Sequence, residues 1–157
     1  MSRASNNRDQ RGYFAVGVQA MKRDCNYGTL FRSANIFGAA FIFLIGPRFV
    51  PQHSDTMKSH RHMPLFSYDT FTDFQSNRPY DVQLIGVELD EKSKPLTGFQ
   101  HPQRAIYLLG AEDHGLSSEA RKACQHIVQL PGRTSLNVSV AGSIVLYDRI
   151  AKLGDSA

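Results

Sequence analysis

Short apolar runs that alternate with helical patterns constrain the fold of this chain more than any other feature. Five runs are apolar along most of their length, which is typical of strands buried on both faces of a sheet. They cover residues 13–18, 41–45, 82–87, 105–109 and 126–130. Because helical patterns lie between them, the sequence predicts an α/β fold with a mainly parallel sheet and helices on both faces. A length of 157 residues fits one domain.

The segments between the strands carry the helical and loop signals. Helices are predicted over residues 28–37, 54–58, 70–75 and 116–124. Ser54 is the expected cap of the second helix, and Ser117 or Ser118 that of the fourth. Residues 61–67 are predicted to be irregular around a proline, and residues 88–102 to form a polar loop.

The stretch 130–148, LPGRTSLNVSVAGSIVLYD, joins a polar loop to a strongly apolar helix. Two apolar series occur at helical spacing: Leu136, Val140, Ile144, Tyr147 and Ala151, and Val138, Ala141 and Val145. A helix that is apolar on two sides is expected to be buried on two sides. The polar loop before it suits a ligand site, but the stretch alone also fits a well-packed terminal helix capped by Ser135.

The net charge of +4 is distributed unevenly. Residues 1–62 contain nine Lys or Arg and three Asp, so this part carries +6 and the remainder −2. A basic half indicates an anionic partner, although from charge alone a merely soluble basic surface fits as well. We expect residues 1–11 to be a flexible basic arm and residues 12–157 to form a single domain.

Several classes of protein are disfavoured by simple features of the sequence. Cys25 and Cys124 lie far apart and outside a CxxC spacing, so neither a disulfide framework nor a zinc site is indicated. The N-terminus is polar and has no apolar leader segment. The longest apolar run, 36–47, is interrupted by Gly38 and Gly46 and is too short to span a bilayer. We therefore expect a soluble, cytoplasmic protein without a metal.

Four polar clusters, at Asn26, Glu88, Gly110–His114 and Arg133–Asn137, follow predicted strands and are expected to meet at one edge of the sheet. Three longer segments are candidate motifs. The first runs from Asn26 to Arg32, and it places Arg32 on a helix whose first N–H groups can bind an anion. The second, GAEDHG at 110–115, holds two carboxylates between two glycines. The third is the polar loop at 131–137. Each segment alone also fits an ordinary capped helix or a solvated loop.

Together, the order and spacing of these segments resemble the three signature motifs of the SpoU (TrmH) family. The matching positions are Asn26, Gly28 and Arg32, then Gly110, Glu112, Gly115 and Leu116, then Ser135, Asn137 and Ala141. Members of this family are S-adenosylmethionine-dependent RNA ribose 2′-O-methyltransferases of the SPOUT superfamily. The resemblance covers roughly residues 12–153. It implies S-adenosylmethionine as methyl donor, no metal, and RNA as acceptor, with tRNA favoured over rRNA and the tRNA wobble ribose as one candidate.

The resemblance also implies features that residue patterns do not reveal. It implies a deep trefoil knot at the C-terminal end, which no hydropathy pattern predicts because knots are almost absent from proteins. It further implies a homodimer built on the helices at 26–37 and 135–153. A homodimer agrees with the two-sided apolar pattern of the last helix.

Site residues follow from the resemblance, position by position. The implied catalytic residues are Asn26, Arg32, Glu112, Ser135 and Asn137. The implied donor-binding residues are Val87, Gly110, Leu130, Ser135 and Leu136. The predicted RNA-binding residues are Arg23, Lys58, Arg61 and Arg133. A guanidinium has a pKa above about 12, so we expect Arg32 to bind phosphate and stabilise a developing alkoxide rather than to accept a proton.

Other functional classes remain as alternatives. A non-catalytic RNA- or nucleotide-binding module would share the charge distribution, but all five implied catalytic positions carry the residue type of the family, which favours an enzyme. A dehydrogenase-type nucleotide domain requires a GxGxxG fingerprint after its first strand, which this sequence lacks. An rRNA methyltransferase remains the alternative to a tRNA enzyme.

Overall fold

The structure is a computed structural model that describes residues 12–20, 26–111 and 113–154. The predicted basic arm and the predicted site residues Arg23 and Glu112 lie outside the described residues. Among the described helices, none is both long enough and apolar enough to cross a membrane.

Within the described residues, seven strands form one sheet. They are β1 (Tyr13–Gln19), β2 (Phe41–Ile45), β3 (Leu65–Tyr68), β4 (Gln83–Val87), β5 (Lys94–Pro95), β6 (Arg104–Gly110) and β7 (His126–Gln129). Their order across the sheet is β3-β2-β1-β6-β4-β7-β5, and every strand pair is parallel. The predicted parallel α/β sheet is therefore confirmed.

The α-helices cover the two faces of this sheet. They are α1 (Gly28–Ile36), α2 (Phe71–Asn77), α3 (Ser118–Ala123) and α4 (Val138–Leu153). Side chains that alternate along the strands divide the core into two clusters, one shared with α1 and α4 and one shared with α2 and α3. Helices on both faces were predicted, and this arrangement is confirmed.

Phe43 shows how closely the second cluster is packed. Its ring stacks on Phe74 of α2 with the ring centroids 4.7 Å apart. On the neighbouring strand, a Cβ at Gly17 would lie 2.5 Å from the Phe43 ring. Gly17 therefore provides the space in which a phenylalanine can fill the centre of this face.

One helix prediction and two loop predictions were wrong, because contacts with distant residues outweigh local sequence preference. Residues 54–58 form turns rather than a helix, since the Ser54 hydroxyl donates to Asn26 instead of capping. The segment predicted to be irregular contains β3, which gains its backbone partners from β2. The predicted loop at 88–102 contains β5, which pairs with β7.

Helix α4 begins later than predicted and is buried on one side only. Its cap is Asn137, whose Oδ1 accepts hydrogen bonds from the N–H groups of Ser139 at 2.9 Å and Val140 at 3.3 Å. Ser135 was predicted as the cap and lies before the helix. The buried series includes Val138, Ala141 and Val145, whereas the other series is exposed: Leu136 by 44%, Val140 by 46%, Ile144 by 40% and Tyr147 by 62%. Within one chain, the expectation of two-sided burial is wrong.

A buried polar network ties the C-terminal half of α4 to the loop before β6. His101 Nε2 lies 2.8 Å from Asp148 Oδ2, and its Nδ1 lies 2.6 Å from the Tyr107 hydroxyl. The buried Arg149 guanidinium donates to the carbonyls of Pro102 at 2.6 Å and Gln103 at 2.7 Å. These bonds satisfy polar groups whose burial would otherwise be costly.

Burial also shifts the titration of this network. It raises the pKa of Tyr107 to about 12. Burial also lowers the pKa of His101, and the positive charges of Lys152 and Arg149 lower it further. The hydrogen bond with Asp148 and the charge of Asp148 act in the opposite direction but do not outweigh burial. Neutral His101 is therefore the form that the folded chain favours.

This network predicts a specific pH dependence of stability. As pH falls through about 6.5, the unfolded chain protonates His101 more readily than the folded chain does, so the free energy of unfolding should decrease. One such proton contributes a slope of at most about 1.4 kcal/mol per pH unit. The free energy of unfolding, measured with denaturant between pH 7.5 and pH 5.5, should decrease less steeply with falling pH in His101→Gln than in the native chain. His114→Gln, at an exposed position, is the matched control, and equal slopes for the native chain and His101→Gln would contradict the prediction.

Candidate functional site

A cleft lies beyond the carboxyl ends of β4, β6 and β7. Its walls are Val87, Glu88, Leu89, Leu109, Gly110, Ala111, Gly115, Gln129, Leu130, Pro131, Thr134, Ser135, Leu136, Val138 and Ala141. It encloses about 90 Å³. The parallel sheet thus brings into one cleft all five residues to which donor binding was assigned from the sequence: Val87, Gly110, Leu130, Ser135 and Leu136.

The turn after β6 forms one wall of the cleft from backbone. Ala111 and Gly115 pair across it, and the N–H of Gly115 donates to the carbonyl of Ala111 at 2.8 Å. A Cβ at Gly110 would lie 2.1 Å from the carbonyl carbon of Gly115, so no side chain fits there. Gly115 itself has a φ of 63°, which favours glycine. The two glycines that the sequence motif contains are therefore required by the shape of the turn.

Glu88 fixes this turn and was missed as a site residue. Its Oε2 accepts a hydrogen bond from the N–H of Leu116 at 2.8 Å, and its Oε1 accepts one from the N–H of Leu89 at 3.1 Å. Arg121 lies 3.9 Å from the same carboxylate and 3.2 Å from Asp90. The sequence predicted that Glu88 lies at this edge of the sheet but assigned it no role, because its partners lie up to 33 positions away along the chain.

The opposite wall is the exposed loop 131–137, which leads into α4. Ser135 and Leu136 line the cleft, whereas Asn137 caps the helix. Arg133 is exposed on the same loop. The residues of this loop that were predicted to bind the donor line the cleft, and those predicted for catalysis or RNA binding line it or lie within two positions of a lining residue.

Helix α1 packs against α4 on the same face of the sheet. The Ser139 hydroxyl donates to the backbone carbonyl of Asn26 at 3.2 Å, and the hydroxyls of Ser33 and Ser143 lie 2.8 Å apart. Asn26 therefore lies next to the first turn of α4. Arg32 is exposed further along α1 and forms no hydrogen bond or ion pair with another residue that the structure describes.

The predicted anion site at the start of α1 is not formed as expected. The Oε1 atom of Gln52 accepts hydrogen bonds from the N–H groups of Tyr27 at 2.8 Å and Gly28 at 2.5 Å. These two groups were expected to be available to an anion. The long-range contact with Gln52 replaces that ligand, and it has no local sequence signal because 24 residues separate Gly28 from Gln52.

The loop that carries Gln52 also holds two predicted RNA-binding residues. A cavity of about 520 Å³ is lined by Pro51, Gln52, His53, Asp55, Thr56, Lys58, His60 and Arg61. Asp55 stabilises the loop by accepting hydrogen bonds from the N–H and the hydroxyl of Ser59, both at 2.8 Å. Lys58 has a left-handed backbone with a φ of 51°. Such a conformation is uncommon for a lysine and occurs often at functional sites.

Two other kinds of chemistry receive no support from the described residues. Burial raises the pKa of the Cys124 thiol to about 11, so this thiol is protonated at neutral pH and is a poor nucleophile. In the part of the chain that the structure describes, no three His, Cys, Asp or Glu side chains are grouped so that they could hold a metal ion.

The contacts of Glu88 predict its contribution to the turn. Glu88→Ala leaves the buried N–H of Leu116 without its acceptor, so the free energy of unfolding should fall by about 1–3 kcal/mol. Amide exchange at Leu116 should become faster. Glu91→Ala, an exposed change on the same loop, should alter neither quantity. Unchanged exchange at Leu116 in Glu88→Ala would show that the carboxylate does not hold the turn.

Comparison with known proteins finds relatives that are named as RNA methyltransferases. In Archaeoglobus fulgidus, a protein named as an uncharacterized tRNA/rRNA methyltransferase is 28% identical over 144 residues, which cover 87% of this chain and 63% of that protein. The mouse tRNA (guanosine(18)-2′-O)-methyltransferase is 26% identical, over 85% of this chain and 9% of its own length. This chain thus spans less than two thirds of either relative.

Solved structures show the same relationship. The S-adenosylmethionine-bound rRNA methyltransferase of Sinorhizobium meliloti superposes with a TM-score of 0.79 at 27% identity, covering 92% of this chain and 58% of the other. The sequence profile of the SpoU rRNA Methylase family matches residues 13–147. That match covers most of the chain, including the cleft and α1, and it confirms the resemblance found from the motifs: this chain belongs to the SpoU rRNA Methylase family.

Proposed function

We propose that this chain transfers a methyl group from S-adenosylmethionine to a ribose 2′-hydroxyl of RNA. The observation that carries the proposal is the cleft at the carboxyl edge of the sheet, which gathers all five residues to which donor binding was assigned. Family membership and the donor-bound relative from Sinorhizobium meliloti support the same activity.

The walls of the cleft suit the donor. They are mostly apolar side chains and backbone, as is typical of small-molecule sites. Among the described lining residues, Glu88 is the only ionisable side chain, and its negative charge complements a sulfonium cation. The enclosed volume of about 90 Å³ is smaller than the roughly 300–1,000 Å³ of typical ligand sites. We therefore expect the exposed loop 131–137 to move outward when the donor binds.

The reaction is an in-line displacement at the methyl carbon. When bound, the donor would supply the methyl group from its sulfonium: the ribose 2′-oxygen forms a bond to the methyl carbon, the carbon–sulfur bond breaks with its electron pair on sulfur to leave S-adenosylhomocysteine, and the hydroxyl proton passes to water. The protein must hold the two reactants in line, and such orientation can contribute about 7–11 kcal/mol.

The acceptor side of the site is assigned to residues on α1 and at the start of α4. Arg32 binds a phosphate of the acceptor and stabilises the developing alkoxide, since a guanidinium remains charged and presents several N–H donors. Asn26 and Asn137 hold the junction of α1 and α4, and Ser135 hydrogen-bonds to the acceptor ribose. The role of Glu112 in this group is a proposal from the motif alone.

The RNA backbone is assigned to the basic surface that continues from this site. Lys58 and Arg61 line the cavity in the 51–61 loop, and Arg133 extends from the loop of the donor cleft. Arg23 is assigned to RNA binding from the sequence alone. Because each phosphate contact releases counterions, RNA affinity should decrease as salt concentration rises.

We propose tRNA as the acceptor, with rRNA as the alternative. The match with the mouse tRNA enzyme, over 85% of this chain, supports tRNA. The Sinorhizobium meliloti relative, an rRNA methyltransferase, supports the alternative. Mass-spectrometric mapping of ribose methylation in cells that lack this protein distinguishes them, since a lost tRNA methylation supports the proposal and a lost rRNA methylation overturns it.

A knotted C-terminal end and a homodimer complete the proposal. The knot would involve the turn after β6, the loop 131–137 and α4, and their close packing around one cleft supports it. The exposed apolar side chains of α4, together with Ile36 on α1, which is 58% exposed, support a two-fold interface between the α1–α4 faces.

The assigned role of Arg32 predicts a separation of binding from chemistry. Arg32→Ala should keep the fold and the donor affinity, because Arg32 does not line the cleft, but should reduce methyl transfer by a factor of about 10²–10³. Arg32→Lys should restore activity only in part, since a point charge does not reproduce the planar donor fork. Calorimetry with S-adenosylmethionine and a single-turnover transfer assay measure the two effects.

The control for this prediction is Arg104→Ala. Arg104 is the first residue of β6, at the end of the strand away from the cleft, so its removal should leave transfer unchanged. Normal transfer by Arg32→Ala would remove Arg32 from the mechanism. Lost donor binding in the same variant would instead give Arg32 a structural role.

The exposed stripe of α4 predicts the oligomeric state. The native chain should sediment as a dimer at micromolar concentration. Ile144→Glu should sediment as a folded monomer, because a dimer of this variant would bury the new charge in an apolar interface. Lys122→Glu on α3, at an exposed position on the other face of the sheet, should remain dimeric. A native chain that sediments as a monomer would contradict the proposed interface.

A further inference from the structure

We propose that Gln52 is a positioning residue for methyl transfer, which couples the RNA-facing loop 51–61 to the acceptor helix α1. The inference rests on the proposed function, since it assigns Gln52 a role in that same site. Gln52 matches no part of the three sequence motifs, and it is identified only by its contacts.

The first observation is that Gln52 caps α1 from a distant loop. The residue at the cap position, Tyr27, makes no capping hydrogen bond with its own side chain. Instead the Oε1 atom of Gln52 accepts from the N–H groups of Tyr27 and Gly28, at 2.8 Å and 2.5 Å. One carbonyl oxygen thereby satisfies two of the N–H groups that a helix start leaves without backbone partners.

The second observation is that neighbouring contacts hold the same two segments together. The Tyr27 hydroxyl donates to the carbonyl of Val50 at 3.1 Å and accepts from the N–H of Val50 at 3.0 Å. The Ser54 hydroxyl donates to Oδ1 of Asn26 at 3.2 Å. A Cβ at Gly28 would lie 2.2 Å from the Ser54 hydroxyl oxygen, so the loop lies directly against the helix start.

The third observation is that Gln52 also belongs to the wall of the basic cavity. Lys58 and Arg61 line this cavity with it, and Asp55 and Ser59 brace the loop between them. A backbone phosphate of RNA bound in the cavity would therefore contact the 51–61 loop, and this loop in turn contacts the start of α1. The Gln52 side chain both lines this cavity and contacts the start of α1.

The position of α1 matters because Arg32 lies in its second turn and Asn26 lies directly before its cap residue. A displacement of about 1 Å at a reacting centre can cost about 10²-fold in rate. A substitution that loosens the start of α1 should thus reduce the rate of transfer without altering the donor cleft, since Gln52 does not line that cleft.

The experiment compares two substitutions at Gln52 under saturating S-adenosylmethionine. Gln52→Ala removes the acceptor for both N–H groups and should lower kcat by about 10-fold to 100-fold with little change in KM for RNA. Gln52→Glu retains an acceptor at the same reach, so kcat should stay within about 3-fold of the native value. Its new negative charge in the RNA cavity should instead raise KM for RNA by about 10-fold.

A purely structural role would lower the folded fraction, which by itself lowers the apparent kcat and leaves KM unchanged. The kcat of Gln52→Ala is therefore calculated per folded protein, with the folded fraction measured by circular dichroism, and a positioning role requires that this corrected kcat is still reduced. Gln100→Ala, which truncates an exposed glutamine outside both the cleft and the 51–61 cavity, is the matched control and should keep the native kcat and KM. If Gln52→Ala does not fold, Gln52→Asn, whose shorter side chain does not reach both N–H groups, should show the same loss of kcat.

A double-mutant cycle with Arg32 gives the decisive result. If Gln52 acts by placing α1, Gln52→Ala should lower the rate of an Arg32→Ala protein by no more than about 2-fold. Fully additive losses, or a native kcat in Gln52→Ala, would overturn the inference while leaving the methyltransferase function intact. A native protein that transfers no methyl group to tRNA or rRNA would overturn the proposed function, and the role of Gln52 with it.

Discussion

The parallel pairing of β4, β6 and β7 determines where this protein can carry out chemistry. Because these strands run in the same direction, their carboxyl ends meet at one edge, and the chain leaves each of them through a loop at that edge. Val87, Gly110 and Leu130 occupy equivalent places just at or after the three strand ends, and all three line the cleft. The sheet thus determines the place of the cleft, and the loops determine its shape.

The two halves of the site are built in different ways. The cleft depends on backbone geometry, with glycines at 110 and 115 where a side chain would collide, and with Glu88 fixing the turn between them. The proposed acceptor side would depend on the placement of α1, whose start is held by Gln52 and whose side packs on α4 through Ser33 and Ser143. Such a division allows donor binding and acceptor orientation to change independently.

The sequence predicts what local pattern determines, and it fails where the determining contact is distant. All five predicted strands exist, since buried parallel strands are continuously apolar. The edge strands β3 and β5 were missed, because they are short and owe their existence to the strands beside them. The cleft residues were found through motif resemblance, whereas Glu88 and Gln52 were not, because backbone groups more than 20 positions away define their roles. The late start of α4 follows from the cap at Asn137 rather than at Ser135.

The central claim is that the donor binds between the turn after β6 and the loop 131–137. A crystal structure of the protein with S-adenosylhomocysteine, the demethylated donor product, tests it most directly. We expect the ligand to contact the backbone at Gly110 and Leu136, with residues 131–137 displaced outward to enlarge the cleft. A ligand bound elsewhere on the chain, with this cleft closed and the loop unmoved, would contradict the account.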